Sequence, residues 1–203
     1  VLLACGASSL KETIDAVKSI LKINKRVVLM QCNTNYTASI ENFKYINLNV
    51  LKEYKDQYPE VILGLSDHTP GHSTVLGAVA LGARVIEKHF TDDLNREGPD
   101  HKFSMDFASW KEMVDRVREL ELALGTRVKK IEDNEKETVV LQRRSIRAKY
   151  DLKNGSIITR DMLEFLRPCP ENSLPPYFLK DILGKVLTKN VPSGECLTWQ
   201  NLK

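Results

Sequence analysis

Apolar residues recur in two alternating patterns along the first part of the chain. Short runs at Val1–Ala4, Val27–Gln31, Val61–Leu65 and Arg84–Lys88 have the look of buried parallel strands. Longer amphipathic stretches follow at about Leu10–Ile23, Ile40–Gln57, Ser73–Leu81 and Ser109–Leu124, and these predict helices. Ser9, with Glu12 three residues later, supplies a capping box for the first of them. Strand followed by helix, four times over, is a βα series. The spacing suits units of a closed barrel or of an open doubly wound sheet, and periodicity alone does not separate the two.

The pattern changes after Gly125. Residues Gly125–Val140 carry KK, ED and NEKE without apolar periodicity, which predicts an exposed linker. The expected division is therefore 1–125, a linker at 126–140, and a second domain at 141–203. That second domain contains an internal echo. Leu152-x-x-Gly155-x-x-x-Thr159-x-x-x-Leu163 returns as Val191-x-x-Gly194-x-x-x-Thr198-x-x-x-Leu202. Each copy reads as an extended segment, a turn at glycine, and a threonine capping a short helical turn. Between them, Arg167-Pro-Cys-Pro170 and Leu174-Pro-Pro176 forbid regular helix, leaving a small β-rich module.

Chemistry concentrates in one stretch. Gly64-Leu-Ser-Asp-His-Thr69, Ile86-Glu-Lys-His-Phe-Thr91 and Gly98-Pro-Asp-His101 gather three of the four histidines with acids, serine and glycine. Val61–His68 and Ala83–His89 each read as a strand delivering polar residues at its C-terminal end. Strand side chains alternate, so Ser66 points with His68 and Glu87 with His89, while Asp67 and Lys88 face the other way. Two imidazoles on neighbouring strand ends form a candidate metal clamp. The competing reading is a pair of buried histidines bonded to backbone carbonyls. His72 reads as a helix-start residue and His101 as a loop neighbour of Asp100.

The bulk properties narrow the class. In 203 residues, 42% hydrophobic content is enough for a real core, and 30 basic against 27 acidic residues leave +3. That balance is too weak and too mixed to predict a nucleic-acid or membrane partner, and it favours a small molecule. Cys5, Cys32, Cys169 and Cys196 are scattered without a CxxC pair, so a reducing cytoplasmic setting is expected rather than a disulfide framework or zinc knuckle. No run reaches membrane-spanning length and no signal peptide is evident. Opening on a strand at Val1 without methionine, the chain reads as part of a longer one.

GLSDHT, EKHFT and GPDHKFSM in this order, followed by the repeat module, resemble the sialic acid (N-acetylneuraminate) synthase family. The resemblance covers nearly the whole chain, from the Val1–Ser8 strand and turn onward. It implies an α/β fold, the C-terminal half of a (β/α)8 TIM barrel with strands five to eight, followed by a small β-rich antifreeze-like domain of the SAF (β-clip) type. It also implies an enzyme that condenses phosphoenolpyruvate with N-acetylmannosamine, or a derivative, to N-acetylneuraminate and phosphate. A divalent ion, Mn²⁺ or else Mg²⁺ or Co²⁺, polarises the aldehyde in that chemistry, and the implied ligands are His68 and His89. Asp100 matches an acid near metal and sugar. Ser66 matches a serine at the phosphoenolpyruvate end, and Tyr36 a substrate-contacting tyrosine. The amide expected two residues before that tyrosine is here Thr34, flanked by Asn33 and Asn35, and which of the three serves is open. Glu135 matches a linker glutamate that accepts from sugar hydroxyls. Arg167 matches an arginine that crosses a domain-swapped homodimer to hold the N-acetyl group, as suits a planar cation with several donors. Four βα units do not close a barrel, so the piece by itself is expected to bind metal weakly and to catalyse nothing, with its first strand an open edge.

Two alternatives accompany this reading. One is a synthase of another nonulosonic acid, legionaminic or pseudaminic, for which the altered Tyr36-Thr-Ala-Ser39 segment is the place to look. The other is a non-catalytic carbohydrate- or ice-binding module formed by the C-terminal domain. Asp151, Lys153, Arg160, Asp161, Glu164 and Arg167 argue against a flat, charge-poor ice face.

Overall fold

The four apolar runs form one parallel sheet. Its strands are β1 (Leu2–Ala4), β2 (Val28–Cys32), β3 (Ile62–Asp67) and β4 (Val85–Lys88), in the order β1-β2-β3-β4. The computed structural model describes residues 1–203 and divides into two units, Val1–Thr126 and Arg127–Lys203. Within the first unit, helices α1 (Leu10–Leu21), α2 (Val50–Gln57), α3 (Ser73–Ala80) and α4 (Phe107–Leu124) follow the strands in turn.

Alternation along each strand decides what the helices cover. Leu29, Leu63 and Leu65 join Val17, Leu51 and Val75 in one buried core. Full burial of each such side chain contributes about 1.5–3 kcal/mol. The opposite sheet face leaves Leu2 59% and Ile62 50% exposed. Helices therefore pack on one face only, and β1 is hydrogen-bonded along one edge only.

Two helices differ from the sequence expectation. The stretch Ile40–Gln57 is not continuous: a 3₁₀ turn at Ile40–Tyr45 is separated from α2 by Asn47 at φ 50°. Asparagine tolerates the left-handed region, and its side chain competes with helical backbone bonding. Helix α4 starts at Phe107 rather than Ser109. Asp106 is its N-cap, accepting from the Ser109 N–H at 2.8 Å while the Ser109 hydroxyl oxygen accepts from the Asp106 N–H at 3.0 Å. At α1 the expected capping box of Ser9 and Glu12 is present.

The segment expected as linker is partly helical. A 3₁₀ turn at Asp133–Glu135, entered through a bond from the Glu132 N–H to Glu135 Oε2, leads directly into α5 (Lys136–Gln142), which apolar periodicity does not reveal. Beyond it, β5 (Ser145–Ala148) and β6 (Leu163–Leu166) pair antiparallel. The two copies of the repeat face each other: Leu152 and Val191 exchange backbone hydrogen bonds of 2.8 and 2.9 Å. Gly155 and Gly194 turn the chain at φ 86° and 79°, a region that favours glycine. Thr159 and Thr198 precede matching 3₁₀ turns, Arg160–Met162 and Trp199–Asn201. Leu163 and Leu202 close the copies into a core with Ile146, Ile158, Leu187 and Leu197. No helix of the chain is long and apolar enough to cross a membrane.

A candidate metal and substrate site at the strand ends

Parallel register brings the polar motifs side by side. Ser66 lies opposite Glu87 and Asp67 opposite Lys88. On the sheet face that the helices leave uncovered, the Ser66 hydroxyl donates to Glu87 Oε1 at 2.8 Å. Two residues further along each strand direction, the His68 and His89 rings stand edge to face, their centroids 5.2 Å apart.

Each imidazole has one nitrogen engaged. His68, only 4% exposed, has Nδ1 2.9 Å from the Asn33 carbonyl oxygen. A carbonyl only accepts, so Nδ1 carries the proton and Nε2 keeps its lone pair. Burial pushes the His68 pKa down, against the smaller opposing pull of that carbonyl, and so favours the neutral ring a metal needs. His89 is half-buried, with Nδ1 3.5 Å from Asp100 Oδ2. A carboxylate beside the rear nitrogen of a histidine orients the ring and strengthens its other nitrogen as a donor.

Asp100 reaches His89 through a closed excursion of the chain. The Thr91 N–H donates to the Met105 carbonyl, and the Met105 N–H donates to the His89 carbonyl, both at 2.9 Å. Between these ties, a 3₁₀ turn at His101–Phe103 buries Phe103 to 2% exposure, with its ring 5.0 Å from His89 and 6.1 Å from His68. Tyr36 joins the same cluster, its ring 5.9 Å from that of Phe103. Its ring lies 4.2 Å from His68 and 5.7 Å from His89, and it remains 54% exposed. His101 packs over Gly98, where any side chain would strike its ring, and lines a cavity with His89, Asp100 and Arg96.

The three residues before Tyr36 have distinct positions. The Asn33 side-chain N–H₂ donates to the Tyr45 carbonyl at 3.2 Å and that of Asn35 donates to Asn42 Oδ1 at 3.1 Å. Both amides thus tie the loop to the 3₁₀ turn at Ile40–Tyr45. Thr34 is exposed and seats its methyl against Gly6, which has no room for a Cβ.

The structure therefore brings Tyr36, Ser66, His68, His89 and Asp100 together, with Thr34 on the adjoining strand end. Glu135 and Arg167 belong to the second unit. There, Glu135 Oε2 accepts from the Glu132 N–H at 3.1 Å, and Arg167 is exposed. Arg144 and Arg147, by contrast, donate to backbone carbonyls of Phe165, Gly194 and Pro168. Sequence reasoning missed Phe103, whose apolar side chain announces no chemistry although it sits inside the GPDHKFSM stretch. It also could not assign a role to Asp67 and Lys88.

No three His, Cys, Asp or Glu side chains form a group able to hold a metal. A closed structural centre is therefore not built here, but two imidazoles whose Nε2 atoms have no partner suit an open site that shares a borderline divalent ion with substrate oxygens and water.

Among known protein families, residues 1–129 match the NeuB family. The chain belongs to the NeuB family. Residues 143–203 of this NeuB-family chain match the SAF domain. The N,N'-diacetyllegionaminic acid synthase of Campylobacter jejuni is 35% identical over 200 residues, which are 97% of this chain and 58% of that protein. The enzyme of the same name from Legionella pneumophila is 36% identical over 201 residues, 98% of this chain and 55% of that one. A solved N-acetylneuraminic acid synthetase from Leptospira borgpetersenii superposes with a TM-score of 0.60 at 29% identity, covering 68% of this chain and 47% of that structure. The NeuB-family chain thus spans a little over half the length of these curated relatives.

Proposed function

We propose that this chain carries the metal-binding half of a synthase that joins phosphoenolpyruvate to an N-acetylated aminosugar aldehyde, giving a nine-carbon 2-keto acid and phosphate. The observation that carries the reading is the pair of in-register imidazoles, each with Nδ1 engaged and Nε2 free. His68 and His89 would hold a divalent ion such as Mn²⁺, Mg²⁺ or Co²⁺, whose chemistry when bound is Lewis-acid polarisation of the aldehyde oxygen. In the reaction, C3 of phosphoenolpyruvate bonds to the aldehyde carbon, water adds at C2, and phosphate leaves.

The chain's own groups prepare that encounter. Asp100 orients His89, and the Asn33 carbonyl fixes the protonated nitrogen of His68. Phe103 and Tyr36 wall the imidazoles and limit water around them. Ser66 would serve phosphoenolpyruvate by turning its hydroxyl from Glu87 to the ligand, and Thr34 is a further proposed substrate contact. Glu135 and Arg167 are proposed sugar contacts, Arg167 acting in a domain-swapped homodimer. Sedimentation of the full-length protein as a monomer with full activity would count against the latter role.

Two aldehydes compete. N-acetylmannosamine leads to N-acetylneuraminate. The names of the two curated relatives favour instead a diacetamido sugar, since their product carries two acetyl groups. The test is phosphate release from phosphoenolpyruvate by the whole polypeptide that carries this chain, with Mn²⁺ and each aldehyde. His68→Ala and His89→Ala are each expected to reduce release by about a hundredfold or more, as does chelator. Release with one aldehyde alone assigns the sugar. Release that survives both substitutions and chelator overturns the reading.

A further inference from the structure

Directly behind the two imidazoles, on the helix-facing side of the sheet, lies an ion pair with no exposure at all. Lys88 Nζ donates to Asp67 Oδ2 at 2.6 Å, and both side chains are 0% exposed. Lys88 also donates to the Thr69 carbonyl at 2.7 Å. Asp67 Oδ1 accepts from the Thr69 N–H at 3.2 Å and from its hydroxyl at 2.9 Å, and Oδ2 accepts from the Thr74 hydroxyl at 2.7 Å, in the first turn of α3.

A buried pair of this kind contributes little net stability. Desolvating two charges offsets their attraction, and apolar residues of similar volume commonly do as well or better. What the pair does provide is registration. Lys88 bonds to both chain neighbours of His68, Asp67 and Thr69, and is itself the chain neighbour of His89. Because strand side chains alternate, fixing residues 67 and 88 on one face fixes residues 68 and 89 on the other.

We infer that Asp67 and Lys88 are positioning residues: their buried ion pair, braced by Thr69 and Thr74, sets the mutual placement of the His68 and His89 rings for a divalent cation. This rests on the reading of those histidines as ligands, and it assigns the specificity of their spacing to groups that never touch the ion. The geometry of the free rings also makes the inference testable without metal.

The deciding variant is the double substitution Asp67→Leu with Lys88→Met, which removes both charges and keeps an apolar interior. It separates registration from stability, since neither charge is left buried without its partner. In the full-length protein, the double variant is expected to unfold cooperatively, to bind Mn²⁺ about ten- to a hundredfold more weakly by titration of free ion, and to lose the metal-free nuclear Overhauser contacts between the two imidazoles. Either wild-type Mn²⁺ affinity or retained ring contacts in that variant overturns the inference. Should the double variant fail to fold, Thr74→Val decides. This near-isosteric change removes one donor from Asp67, and about threefold weaker Mn²⁺ binding is expected, unchanged affinity being the contrary result. If wild-type protein binds Mn²⁺ no better than His68→Ala/His89→Ala, the ligand reading falls, and the ring contacts alone decide whether the pair sets the spacing.

Discussion

His68 reconciles two readings that the sequence left in competition, because a buried histidine bonded to a carbonyl through Nδ1 still offers Nε2 as a ligand. Its depressed pKa has a consequence for stability. The unfolded chain takes up a proton near the ordinary imidazole value of about 6.5, whereas the folded chain resists until lower pH. His68 therefore contributes stability that is fully present above about pH 6.5 and is lost as pH falls through the folded value. Urea midpoints of the metal-free protein are expected to fall between pH 7.5 and 5, with a shallower slope in His68→Gln; equal slopes contradict it. Ser66, His68 and His89 were legible as a group, since alternation and matching strand ends depend on residue order alone. The Asn33 carbonyl was not legible, because every residue has one and only the fold selects which meets a ring. Asp67 and Lys88 were placed on the right face, but their pairing needed the register.

At the level of elements, four strands and their helices were readable from periodicity, and the errors fell where local hydrogen bonding outweighs it. Asn47 breaks a stretch whose apolar spacing continues, and Asp106 captures the start of α4 ahead of the first expected residue. In the second unit the repeat was visible, whereas the pairing of its two copies across Leu152 and Val191 was not, because repetition fixes likeness and not contact. The turn glycines allow a direct check. A Cβ at Gly155 or Gly194 meets nothing within 4 Å, so alanine there is opposed by backbone conformation alone. Gly155→Ala and Gly194→Ala are each expected to cost about 1–2 kcal/mol in chemical denaturation. A cost in only one of them would show that the two copies are not equivalent in stability.

For the whole molecule, the two units differ in how fully they bury themselves. The second has its own core, from Ile146 to Leu202, and the fragment Arg127–Lys203 is expected to unfold cooperatively by itself in a calorimeter. A broad, featureless melt would contradict that. The first unit leaves the outer edge of β1 unpaired, and on the sheet face opposite the helices Leu2 and Ile62 are exposed while Met30 and His68 are buried. The sequence predicted the open edge, but not that the polar site and the uncovered apolar positions share a single face. One last consequence comes from the way Thr91 and Met105 are stitched together beside His89. That seam works like a drawstring: everything between its two ends hangs from a fixed neck, as in a compact surface loop whose ends lie close together. Residues between those ends can change in number while the neck keeps its shape, so long as Asp100 and Phe103 stay beside His89.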